Sequence, residues 1–212
     1  MPLDLLTVAV LALVGGRLVS TGMRAVRSER LRARWSEVVR ALRPRHFLLA
    51  PLVLFVVLVV AGLLLAVPGL SWGWWTAIGG TGNVITGGTS RAGVGVLQWL
   101  APVLFLSLLV PLLPLLAERE ERMFREGAEA WSTGRRVRRA VEFGLVHLIM
   151  GIPVGVALAL SLGGLYFTWA YLRGYRRGGR EAGVLESTAA HLAYNFTIIV
   201  VVAVASVVAA LR

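Results

Sequence analysis

Phe47 to Val67 reads FLLAPLVLFVVLVVAGLLLAV, without one charged side chain. At about 1.5 Å per residue, a helix of this length is roughly 30 Å long, the thickness of a bilayer's hydrocarbon core. Its apolar residues surround the helix instead of forming one stripe, so it has no polar face to turn toward water. Lipid offers no partner to free backbone N–H and C=O groups, so such a stretch is expected to cross as a helix.

The rest of the chain is consistent with that expectation. Of 212 residues, 57% are hydrophobic, and the mean hydropathy is +0.76. A soluble domain lies nearer 45–50% apolar. The formal charge is +11, from 22 basic residues, all arginine, and 11 acidic ones. In a membrane protein such an excess marks topology and contact with anionic lipid headgroups, and nucleic acid is not an expected partner. There is no cysteine, which excludes disulfides, thiolate metal sites, iron–sulfur clusters and a cysteine nucleophile.

Leu3 to Val19 is just long enough to cross; lacking a basic leader region and a small-x-small cleavage pattern, it reads as a retained first span. Eight arginines between Arg24 and Arg45 follow, against Glu29 and Glu37. The positive-inside rule makes this loop cytoplasmic and puts the N-terminus outside. It is expected to be a solvated amphipathic helix on the headgroups, and His46 is given no catalytic role. Pro68 to Gly95 is then an outside loop, with Trp72, Trp74 and Trp75 as an interfacial belt; Gly79-Gly80-Thr81-Gly82 does not complete a dinucleotide fingerprint. Val96 to Ala117 is the third span, with Pro102, Pro111 and Pro114 suggesting kinks. Val141 to Leu172 is too long for one span, and breaking it at Gly151-Ile152-Pro153 gives two short ones. Val184 to Leu211 is the last. The expected fold is all-α: a polytopic transmembrane helical bundle of about six spans. It forms one domain over residues 1–212, in the cell membrane.

Three polar clusters then fall at one depth, near the cytoplasmic side: Glu120 to Arg125, Phe143 to His147, and His191 to Asn195. Ionisable groups at membrane depth are costly and mark function by default. Glu121 and Arg125 are four apart with the acid first, the favoured order for a helical ion pair. This leaves Glu120, about 100° round the helix, to face a cavity. Phe143 shares a face with His147 and can wall it from lipid, while His191 and Asn195 share another. The plainer readings are a salt-bridged helix end at the membrane surface, a hydrogen-bonded core histidine, and polar residues joining helices. Each is sound alone, and together they require three coincidences. Asn195-Phe196-Thr197 matches a glycosylation sequon, but at membrane depth it is not a usable acceptor.

EERMFR at Glu120 to Arg125, FGLVH at Phe143 to His147 and HLAYN at His191 to Asn195 together resemble EExxxR, FxxxH and HxxxN. That ordered set is the signature of the CPBP family (CAAX proteases and bacteriocin-processing enzymes, or Abi family) of intramembrane endopeptidases. The resemblance covers residues 115–199. One departure is Glu126, which stands before Gly127 where the family usually has glycine.

The resemblance implies hydrolysis of a peptide bond in a membrane-anchored peptide or protein. Glu120 would be the general base toward water, His147 would hold that water, and His191 and Asn195 would donate to the oxyanion. Arg125 would orient Glu121. No cofactor is required on this reading; the alternative is Zn²⁺ on Glu120, His147 and His191, a set that suits catalytic zinc with water in the fourth position. Other functional classes are a non-catalytic membrane scaffold or bacteriocin-immunity-type protein, a haem protein ligated by both histidines, and a proton-coupled transporter using Glu120.

Overall fold

A computed structural model describes residues 2–80 and 95–211, and every regular element among them is helical. The helices are α1 (Pro2–Arg27), α2 (Glu29–Arg40), α3 (Pro44–Leu65), the single turn α4 (Trp74–Ala77), α5 (Gly95–Arg125), α6 (Thr133–Val146) and α7 (Val154–Ala210). Short 3-10 turns at Ala128–Ala130 and His147–Met150 flank α6. Residues 81–94, half of the expected outside loop, lie outside the described residues.

The apolar stretch from Phe47 is α3, entered through Pro44 in its first turn. Leu48, Phe55 and Leu63 are about 70% exposed, so α3 turns a broad apolar face away from the protein. Apolar surface on this scale is at home against lipid. Among the described residues, two helical stretches are long and apolar enough to cross a membrane: Pro44–Leu65 and Val154–Ala205. These associate the chain with a membrane.

The second stretch is not one straight rod. Gly178 and Gly179 break the helical backbone, and Gly179, at φ +75° and ψ −161°, sits in a region that essentially only glycine occupies. α7 therefore doubles back as a first arm (154–177) and a second arm (180–210). The expected loop between the last two spans is thus a two-glycine turn.

α1 and α5 run side by side in the same direction: Leu18 packs with Phe105 and Leu112, and Ala25 lies with Leu116 in that same cluster. α3 runs against the first arm of α7, placing Val57 and Ala61 on Ala159. The break at Gly151–Pro153 falls where expected. It docks on the loop after α3: Val154 N–H donates to Trp72 O at 2.9 Å, and Trp74 Nε1 donates to Leu148 O at 2.7 Å. α6 and its 3-10 turn therefore run from the end holding α2 to the end holding Trp72, and the described residues make six helical passes between those ends.

Small residues let these passes approach closely. Ala157, Ala159, Ala170, Ala190 and Ala193 are buried, and a Cβ at Gly144 would meet Ala157 O at 2.2 Å. Packing through small residues is how helices associate where water supplies no hydrophobic drive.

One expectation needs correction. α2 is amphipathic but does not lie free on the surface. Val38 is fully buried, Trp35 Nε1 donates to Pro111 O at 2.8 Å, and Arg34 Nε donates to Glu118 at 2.7 Å. α5 runs past the apolar span, as the helical spacing of Glu121 and Arg125 requires. It continues as one helix through Arg125, unbroken at Pro111 and Pro114, so the whole first motif is helical.

Candidate active site

The last turns of α5 sort the acidic cluster by direction. Glu118 and Arg122, four apart at 2.9 Å, face α2 and the turn of α7, in a network with Arg34 and Glu181. For these two residues the plain reading, a salt-bridged helix end, holds. Glu121 and Arg125 face inward: both side chains are 0% exposed and pair at 3.2 Å. Glu120, about 100° from Glu121 round the helix, is left between the two groups with 40% of its side chain exposed.

A buried ion pair survives only with further partners for both charges. Arg125 finds them in aromatic rings. Its guanidinium lies 4.1 Å from the Phe143 centroid and within 5.5 Å of Phe124 and Phe167, and Nη2 reaches Gly164 O at 3.5 Å. Ring faces carry negative charge density and hold a desolvated cation well. Glu121 Oε1 finds its second partner in His191 Nδ1 at 2.8 Å. Phe167 stacks on the His191 ring, 4.4 Å between centroids and 20° from parallel.

The expected role of Phe143 is to wall off His147. Its ring meets the His147 ring edge to face at 5.0 Å, and it also meets His191 at 5.6 Å. Its own carbonyl holds His147 Nδ1 at 2.8 Å. One residue of α6 thereby touches all three clusters.

The tautomers follow from these partners. A carbonyl accepts only, and so does an Arg-paired carboxylate, so both histidines carry hydrogen on Nδ1. In the neutral imidazole each Nε2 then offers a lone pair. His191 Nε2 lies 3.9 Å from Glu120 Oε2. The oxyanion-donor role expected of His191 consequently requires a hydrogen on Nε2 as well. Asn195 is one turn further along α7, partly exposed. Its amide has no hydrogen-bond partner among the described residues.

Among the described residues no group of three or more histidine and carboxylate side chains is placed to hold a metal ion. The departure at Glu126 leaves the helix end intact. Glu126 pairs with Arg122 at 3.5 Å, and Gly127 takes the left-handed conformation, φ +91°, that ends α5.

The sequence offered no mark for Phe167 or Gly164, which complete the site from inside a uniform apolar run. It was equally silent on Glu186 as the partner of His46. That histidine is buried, accepts from Arg43 N–H at Nδ1 (3.1 Å) and bonds Glu186 through Nε2 at 3.3 Å, tying α3 to α7. It has no part in the site. No family model, curated protein or solved structure matches the chain.

Proposed function

We propose that this chain is an intramembrane endopeptidase whose water nucleophile is activated by Glu120. Its six passes are six membrane spans, with the N-terminus outside and the site toward the cytoplasm. The support for that orientation is charge: Arg24 to Arg45, Arg135 to Arg139 and Arg173 to Arg180 all sit at the end of the bundle that holds α2 and the two-glycine turn. The substrate is a membrane-anchored peptide or protein cut near the cytoplasmic face.

The observation that carries this reading is the placing of a half-exposed Glu120 carboxylate 3.9 Å from His191 Nε2, in front of a fully buried Glu121–Arg125 pair. The buried pair and its ring cage hold His191 in one tautomer and orientation. Glu120 takes a proton from water, and the resulting hydroxide attacks the scissile carbonyl. His147 Nε2 accepts the water's second hydrogen bond and fixes its direction. The Asn195 amide and protonated His191 face the developing oxyanion. The proton held by Glu120 then passes to the leaving amine.

The test is cleavage of a quenched fluorescent membrane-peptide library by purified wild type and Glu120→Gln, each with and without chelator. Wild-type cleavage, reduced about 10²–10⁴-fold in the variant and indifferent to chelator, is expected. Equal cleavage by Glu120→Gln would sink the assignment of the base, and no cleavage by folded wild type would point to a non-catalytic scaffold. Loss on chelation would make the enzyme a metallopeptidase.

A further inference from the structure

At the cytoplasmic end, away from Glu120, a cavity of about 790 Å³ opens between α2, the start of α3 and the two arms of α7. Its charged lining is Arg40, Arg43, Arg45 and Arg177 against Glu37 and Glu186. Both acids are already engaged. Glu186 takes Arg45 at 2.7 Å and His46 at 3.3 Å, and Glu37 takes Arg34 at 2.8 Å. Arg177 reaches Glu186 only at 3.9 Å, and Arg40 and Arg43 have no carboxylate partner among the described residues. Arg45 Nε is fully buried and has no hydrogen-bond partner among the described residues.

The backbone adds to the imbalance. Arg43 is the N-cap of α3 and Arg45 lies in its first turn, which holds no acidic residue. A helix N-terminus carries partial positive charge and favours anions, so arginines there are unfavourable unless an anion joins them. Directly beyond, Phe47 and Leu48 are exposed apolar residues on α3, with Phe196 of α7 edge-on to Phe47 at 6.1 Å. Exposed apolar side chains thus stand within one turn of the cavity's Arg45 on α3.

We propose that this cavity binds a phosphate-bearing anion, with Arg40, Arg43 and Arg177 as its charge partners. Two sources supply that chemistry at this face: the headgroup of an anionic phospholipid, its chains running along Phe47 and Leu48, or a free phosphate compound. Bound there, the anion would link α2 to both arms of α7. The proposal does not depend on peptidase activity.

The test titrates purified wild type, Arg43→Gln/Arg177→Gln and, as control, Arg27→Gln/Arg30→Gln with phosphatidylglycerol or phosphatidylcholine in detergent, reading bound lipid by native mass spectrometry. Wild type and the control should retain phosphatidylglycerol over phosphatidylcholine, and the cavity variant should bind it about 30-fold more weakly. Millimolar inorganic phosphate that displaces the lipid would show that the phosphate group alone suffices; retention despite phosphate would assign the site to lipid. Equal retention of phosphatidylglycerol by the cavity variant, with unchanged melting in lipid-free detergent, would overturn the proposal. So would wild-type binding that does not distinguish the two lipids.

Discussion

Glu121 Oε1 lies 2.8 Å from His191 Nδ1, and the same oxygen takes Arg125 Nη1 at 3.2 Å. One fully buried carboxylate oxygen therefore joins the end of α5 to the second arm of α7, and in doing so sets the proton position on a histidine of the candidate site. The other oxygen, Oε2, has no hydrogen-bond partner among the described residues. The stability of the arrangement rests on charge compensation within a very small volume.

Glu121→Gln keeps the shape and removes the charge, stranding the Arg125 guanidinium. Breaking a buried pair from one side costs about 3–5 kcal/mol. The double variant Glu121→Gln/Arg125→Met leaves no uncompensated charge and should lose less than the sum of the single losses. Denaturation of all four proteins in the same detergent measures the coupling. Additive losses would mean that the two side chains do not depend on each other.

Phe167 supplies the plane on which His191 rests, and its side chain is fully buried. Phe167→Ala should cost about 3–5 kcal/mol through the cavity it opens. Phe167→Leu nearly preserves the packing and should cost less than about 1.5 kcal/mol. If the stacking orients His191, the Leu variant will still lose most cleavage while melting close to wild type. Cleavage that follows stability across both variants would reduce Phe167 to a packing residue.

Short-range interactions were legible in the sequence, and long-range ones were not. The long apolar helix from Phe47, the break before Val154 and the Glu121–Arg125 pair rest on local rules: apolar length, proline chemistry and four-residue spacing. Each appears in the structure. The division of the acidic cluster needed three dimensions, because Glu118, Glu120 and Glu121 look alike until α2 and α7 are placed around them. Arg34 and Glu181 draw Glu118 and Arg122 toward α2 and the turn of α7, and rings from α6 and α7 draw Arg125 in. Phe167 and Glu186 gained their importance from partners 24 and 140 residues away in sequence, His191 and His46, and no periodicity reports such a distance.

Two glycines of α6 should answer oppositely to the same change. A Cβ at Gly144 would stand 2.2 Å from Ala157 O and 2.7 Å from Ser161 Oγ, so Gly144→Ala must push α6 off the first arm of α7. Overpacking of this kind costs about 1–3 kcal/mol or more. His147, three residues on, would move with the helix, so cleavage should fall as well. Gly134 has nothing within 4 Å, and Gly134→Ala should be neutral or slightly stabilising through helix propensity alone. Thermal melting of the two variants side by side decides the matter, and similar behaviour would contradict the close contact.

Acid should loosen the end of the bundle that holds α2 through Glu129, which lies in the turn between α5 and α6. Burial pushes its carboxyl up, but the Tyr171 hydroxyl at 2.8 Å and Arg180 at 2.9 Å outweigh this and hold it below its ordinary value of 4.5. A carboxylate with a depressed folded value stabilises the protein fully above the unfolded value and loses that contribution as pH falls through the folded one. The loss should therefore begin near pH 4.5 and deepen below it, freeing Tyr171 and Arg180 of α7 from the turn. Melting temperature followed from about pH 7 to about pH 3 should drop less steeply in Glu129→Gln than in wild type, because the variant has no proton to gain there. Parallel curves would assign the acid sensitivity to other groups.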